Sequence, residues 1–108
     1  TQERPMRWYV YVAYFFGGGF LVNALPHFIN GLSGRPFPTP FASPPGQGES
    51  PALVNVLWAA LNLVIAYLLI SRVGVFQLRR TRDVLLVGAG GLLIGVMLSQ
   101  AFGSIYGG

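Results

Sequence analysis

His27 is the chain's one histidine, and its neighbours by helical spacing are amides and glycines. Gly19, Asn23 and His27 stand four apart, so a helix puts them on one face, with Asn30 about a turn further. Pro26 lies in the same stretch and interrupts the backbone hydrogen-bond ladder. An imidazole so placed can do three things. It can hydrogen-bond to Asn23, Asn30 or a loop, and that packing role is the favoured reading. It can ligate the metal of a haem or chlorophyll-type macrocycle, with Phe16, Phe20 and Trp58 as apolar walls. It can relay protons, but no Asp or Glu lies within an apolar span to partner it. Asn55 and Gln100 are two further amides within apolar segments, and with Asn23 and His27 they form the candidate binding set.

Other catalytic chemistry finds little footing. The spans hold no paired carboxylates, no second histidine and no nucleophile beside an evident base, so a non-enzyme is expected. The chain has no cysteine, which excludes disulfides, thiolate metal sites and covalent haem attachment. Gly17-Gly18-Gly19 is no phosphate loop, because no strand precedes it and no lysine follows. Those glycines fit close helix packing better.

The elements that must position these residues are three apolar segments. Hydrophobic residues make up 53% of the 108 and charged ones 9%, against about a quarter in soluble domains. Trp8 to Leu25 carries no charge over 18 residues, with Trp8, Tyr9 and Tyr11 at its interfacial start. We read it as a retained span and not a cleaved signal peptide, although Val22-Asn23-Ala24 loosely fits a cleavage site. Pro51 to Ile70 is a second uncharged run, with Ser50 as expected N-cap, Pro51 at the first helical position and Gly74 as expected C-cap. Val84 to Phe102 is the third, with Thr81 as expected cap and Asp83 complementing the helix dipole.

The fold class is therefore an all-α integral membrane protein of one domain. Its first span covers about residues 8–29, the second 51–71 and the third 83–105. The 30–50 connection holds five of the eight prolines between Gly34 and Gly46, which forbids helix and favours an extended strap. Phe37 and Phe41 are expected to lie on the membrane surface or on a helix end. The 72–82 connection carries Arg72, Arg79, Arg80 and Arg82. With Arg4 and Arg7, these put six of seven arginines at one end and leave Arg35 at the other. The positive-inside rule then puts the N-terminus and the arginine loop in the cytoplasm, and the strap and C-terminus outside a bacterial inner membrane. The same charge distribution reads as topology and headgroup contact, and not as a nucleic-acid groove.

Depth follows from about 1.5 Å per helical residue. Asn23 lies roughly 22 Å beyond Trp8, Asn55 about 6 Å below Pro51, and Gln100 some 24 Å from Asp83. Asn23, His27, Asn55 and Gln100 are thus expected in one outer polar layer, with Asn62 alone near the midplane. Asn55, Ala59, Asn62 and Ala66 share one face of the second span. In the third, Gly91, Gly95, Ser99 and Gly103 are spaced by four, a small-residue ladder against which another helix packs closely. Gly17 and Gly19 offer the same on the first span.

In size the arrangement resembles small accessory subunits of energy-transducing complexes. A non-catalytic membrane subunit, self-associating or packed on a larger complex, is the expected function. Pigment or haem binding through His27 is the alternative, and a channel or transporter protomer would need further copies. A reporter fused after Gly108 is expected to be active only on the extracytoplasmic side, and cytoplasmic activity would invert the arrangement.

Overall fold

The computed structural model describes residues 7–107. Three long helices account for most of them: α1 (Trp8–Leu32), α2 (Ala52–Ser71) and α3 (Thr81–Tyr106). All three are long and apolar enough to cross a membrane. Between α1 and α2 the strap forms a minimal antiparallel pair, β1 (Phe37–Pro38) and β2 (Glu49–Ser50), with Phe37 opposite Ser50.

The first helix is the middle one. It packs along both α2 and α3, whereas α2 and α3 scarcely touch. Three consecutive glycines make this possible, because the two neighbours press on α1 from adjacent directions. A Cβ on Gly17 would lie 2.6 Å from Ile70 of α2, and one on Gly19 would lie 2.8 Å from Ile94 of α3. Gly18 is tighter still. Its Cβ would lie 1.9 Å from the Val87 carbonyl oxygen, and a Cβ on Gly90 would fall 1.7 Å from the Phe15 carbonyl oxygen. The α1–α3 contact is therefore backbone against backbone, as small residues allow.

That contact has a different register from the expected ladder. Gly91 belongs to it, facing Val22 and the Gly18 carbonyl. Gly95 only grazes Val22 at 3.8 Å, Ser99 is exposed, and Gly103 is half-buried. Gly18 and Gly90 do the close packing instead. On α2 the buried residues are Asn55, Ala59, Asn62 and Ala66, the face spaced four, three and four.

Helix ends also differ from the sequence reading. The first helix passes through Pro26 and runs to Leu32, three residues beyond the expected end. It stops at Gly34, whose φ of 75° suits a residue without a Cβ. The Arg35 N–H reaches back to the Asn30 carbonyl and the Gly34 N–H to Gly31, a Schellman closure. The N-cap of α2 is Pro51 and that of α3 is Arg80, neither with a side-chain cap. Ser50 and Thr81 therefore do not cap. The C-cap of α2 is Arg72, and Gly74 packs on Val10 and Tyr14.

The two ends of the molecule are chemically distinct. Arg7, Arg72, Arg79, Arg80 and Arg82 gather at the end where α1 begins, and Arg82 lies over the Tyr11 ring at 5.4 Å. Asp83 is fully buried there. Its carboxylate accepts the Gln77 N–H at 3.0 Å and pairs with Arg80 and Arg82 at 3.4 Å each, which pins the connection under α1. Phe76 closes the same corner edge-on to Tyr14 at 5.5 Å. The opposite end holds the strap, the C-terminal turn of α3 and Arg35.

A Cβ at the α1–α3 crossing must push two backbones apart. Gly90→Ala is expected to cost about 1–3 kcal/mol or more of stability, as overpacking does. Gly88→Ala, with nothing within 4 Å of its new methyl, is expected to be neutral. Thermal unfolding of both variants in detergent checks this pair, and equal midpoints would refute the close crossing.

Candidate functional site

The polar groups of the strap end converge on Asn55, which is completely buried in the first turn of α2. Its amide nitrogen donates to three carbonyls, Phe37 at 3.0 Å, Ser50 at 3.1 Å and Pro51 at 3.2 Å. Those contacts fix the amide's orientation and aim Oδ1 at His27, whose Nδ1 lies 2.7 Å away. An amide oxygen only accepts, so Nδ1 carries the proton and the neutral ring keeps its lone pair on Nε2. Nε2 makes no hydrogen bond to any described residue. One amide thus joins α1, α2 and both strands of the strap.

Around this pair lies an aromatic shell. His27 is 3% exposed, with Phe37, Trp58 and Phe102 at centroid distances of 5.6, 6.4 and 6.5 Å, all edge-on. Phe37 continues to Phe102 at 4.6 Å and stacks on Tyr106 at 6.0 Å. Phe41, largely exposed, sits edge-on to Trp58. The Trp58 Nε1–H is buried and has no partner among the described residues. The shell therefore holds one unpaired donor and, at His27 Nε2, one unpaired acceptor. Above it, the Thr39 and Ser50 hydroxyls bond to each other where both are buried.

The candidate set divides. His27 and Asn55 meet. Asn23 does not join them; its amide donates to Asn62 Oδ1 at 2.9 Å, and Asn62 in turn donates to the Trp58 carbonyl at 2.8 Å. Asn62 is thus no isolated midplane amide but the other half of a second interhelical bond. Gln100 is exposed on α3 and reaches none of the other three. The reason is rotational. The face that α3 turns to α1 carries Asp83, Gly90, Gly91, Ile94 and Leu98, centred roughly 130° around the helix from Gln100.

A macrocycle on His27 meets an obstacle in this packing. The expected walls Phe16 and Phe20 line a groove of about 420 Å³ between α1 and α3, with Asn23 and Ile94, and that groove does not include His27. The ring's actual neighbours close over it. A haem-sized plane would reach Nε2 only if Phe37, Trp58 or Phe102 swung away. Among the described residues, no three His, Asp or Glu side chains are grouped to hold a metal ion.

Sequence reasoning missed Phe102, Tyr106 and Thr39. Phe102 and Tyr106 stand four apart near the end of α3, a spacing that offers an aromatic face to a neighbour. The Thr39–Ser50 pairing carried no comparable sequence signal, since it depends on the strap register. No protein family, curated protein or solved structure matches the chain.

The side chain of Asn places an amide N–H near where His Nδ1 sits, so His27→Asn should keep the bond to Asn55. His27→Leu leaves a buried amide oxygen unpaired, at a cost of about 1–3 kcal/mol. Unfolding midpoints in one detergent are expected to rank wild type close to His27→Asn and well above His27→Leu. If His27→Leu matched wild type, the bond to Asn55 would carry no stability.

Proposed function

We propose that this chain is a small, non-catalytic membrane subunit that associates through the outer face of α3 with another transmembrane helix. That helix comes from a second copy or from a larger membrane complex. The observation that supports this is the surface α3 leaves uncovered. Gly88, Leu92 and Ser99 are exposed and Gly95 and Gly103 half-buried, at spacings of four, three, four and four along one stripe. Nothing lies within 4 Å of a Cβ on Gly88.

The internal crossing uses Gly90 and Gly91, so the outer glycines are not needed to hold the fold. In lipid, helices associate by close van der Waals approach and not by hydrophobic exclusion, and small residues give that approach. Ser99 and Ser104 spend their hydroxyls on carbonyls of their own helix, which leaves the stripe smooth. The polar core is consistent with a structural role too: the His27–Asn55 and Asn23–Asn62 bonds each tie α1 to α2. The arginine end faces the cytoplasm in this reading, with Arg72, Arg79, Arg80 and Arg82 at the level of lipid headgroups.

A chain without cysteine makes the test direct. Ser99→Cys, oxidised in native membranes, is expected to form a covalent dimer or a conjugate with one other membrane protein. Leu21→Cys on the lipid face of α1 is expected to form neither. Gly88→Ile should reduce the cross-linked species several-fold while leaving the unfolding midpoint in place. Absence of any Ser99→Cys product, with the protein folded, would overturn the proposal.

A further inference from the structure

Apart from the C-terminal turn, the strap end carries one basic and one acidic side chain among the described residues, and both face the same groove. Arg35 and Glu49, with Asn30, Pro36, Phe37 and Tyr106, line an open groove of about 400 Å³ beside the ends of α1 and α3. Although opposite in charge, the two make no ion pair with each other. Each is held from behind instead. The Arg35 Nε–H donates to Asn30 Oδ1 at 3.1 Å, and Asn30 is itself fixed through its amide nitrogen to the Pro26 carbonyl at 2.8 Å. The Tyr106 hydroxyl donates to Glu49 Oε2, and the Tyr106 ring stacks on buried Phe37. The terminal guanidinium nitrogens and Glu49 Oε1 make no hydrogen bond to any described residue.

A cation and an anion fixed apart across a groove complement a ligand that carries both charges. The depth selects the ligand. α1 is 25 residues long, about 37 Å, so its far end reaches the headgroup layer when the helix spans a bilayer. Arg35 is also the cation that topology alone does not require, since every other described arginine lies at the opposite end. We propose that this groove binds the zwitterionic phosphoethanolamine headgroup of a phospholipid. The Arg35 fork takes the phosphate oxygens, for which its planar donors are suited. The primary ammonium donates to Glu49 Oε1 and lies against the Tyr106 ring. A phosphocholine headgroup has no N–H to offer Glu49, and a phosphoglycerol headgroup has no cation.

This inference rests on the helices spanning a membrane, and it does not depend on how α3 pairs. The test is native mass spectrometry of the purified protein exchanged against phosphatidylethanolamine, phosphatidylcholine and phosphatidylglycerol of identical chains. Phosphatidylethanolamine is expected to be retained about tenfold over the other two. Glu49→Gln is expected to remove the preference over phosphatidylcholine while retaining both weakly, and Arg35→Gln to lose both. The sources of the chemistry separate in a further arm. Free O-phosphoethanolamine that displaces the lipid at millimolar concentration assigns the site to the headgroup alone, and failure to displace it adds the acyl chains to the recognition. Equal retention of the three lipids by wild type overturns the proposal, as does an ethanolamine preference unchanged in both variants. The wild-type comparison stands whether or not a variant folds.

Discussion

Inside a bilayer there is no water to satisfy a stray amide, so each buried polar group must find its partner within the protein. Asn55 meets that demand with its whole side chain. Two N–H groups are shared among the carbonyls of Phe37, Ser50 and Pro51, and the oxygen accepts a hydrogen bond from His27 Nδ1. Because those carbonyls belong to the strap and the start of α2, the residue fixes where the proline-rich segment lies. Without it, the strap would be held to the helices by ring contacts of Phe37 and Phe41 and by the bonds of Arg35 to Asn30 and of Tyr106 to Glu49, the last two at its exposed rim. Phe37, stacked on Tyr106 and tilted against Phe102, then carries that constraint to α3.

A second constraint comes from the opposite end. Asp83 is buried with two arginines and a backbone N–H around it, and a carboxylate in that position is tolerable only because all of these are present. It does at the arginine end what Asn55 does at the strap end. Between the two, glycine packing sets the distance of α1 from its neighbours. The molecule is thus polar and tightly tied at both ends, and held at its waist mostly by close backbone approach.

Much of this was legible from residue order. Three charge-poor runs of about twenty residues admit little besides helices, and the four-three-four spacing of Asn55, Ala59, Asn62 and Ala66 gave the buried face of α2. The distribution of arginines marked which ends lie together. What spacing could not supply was rotation about each helix axis. Depth placed Gln100 beside His27, but the helix turns it outward; the glycine ladder from Gly91 looked uniform, yet of its members only Gly91 meets the Gly18 backbone, and the tightest approach is that of Gly90 to Phe15. The capping roles of Ser50 and Thr81 failed for a related reason. Ser50 is drawn into the strap by Thr39, and Thr81 lies one residue inside the helix that Arg80 begins. Tertiary partners decided these cases, and such partners leave no local trace.

The polar lock has one more property. His27, Asn55, Asn23, Asn62, Thr39 and Ser50 all come from the first two helices and the strap, and α3 contributes no hydrogen bond to any of them. During synthesis, then, the hairpin of α1 and α2 has every interhelical amide paired before the third helix has left the ribosome. Of the polar side chains on this hairpin, Glu49 and Tyr11 are the ones whose partners come later, Tyr106 and Arg82 at the two ends of α3. The third helix docks afterwards on a glycine surface and an aromatic cap, and its arrival is mainly a packing event, fastened at both ends by those two bonds.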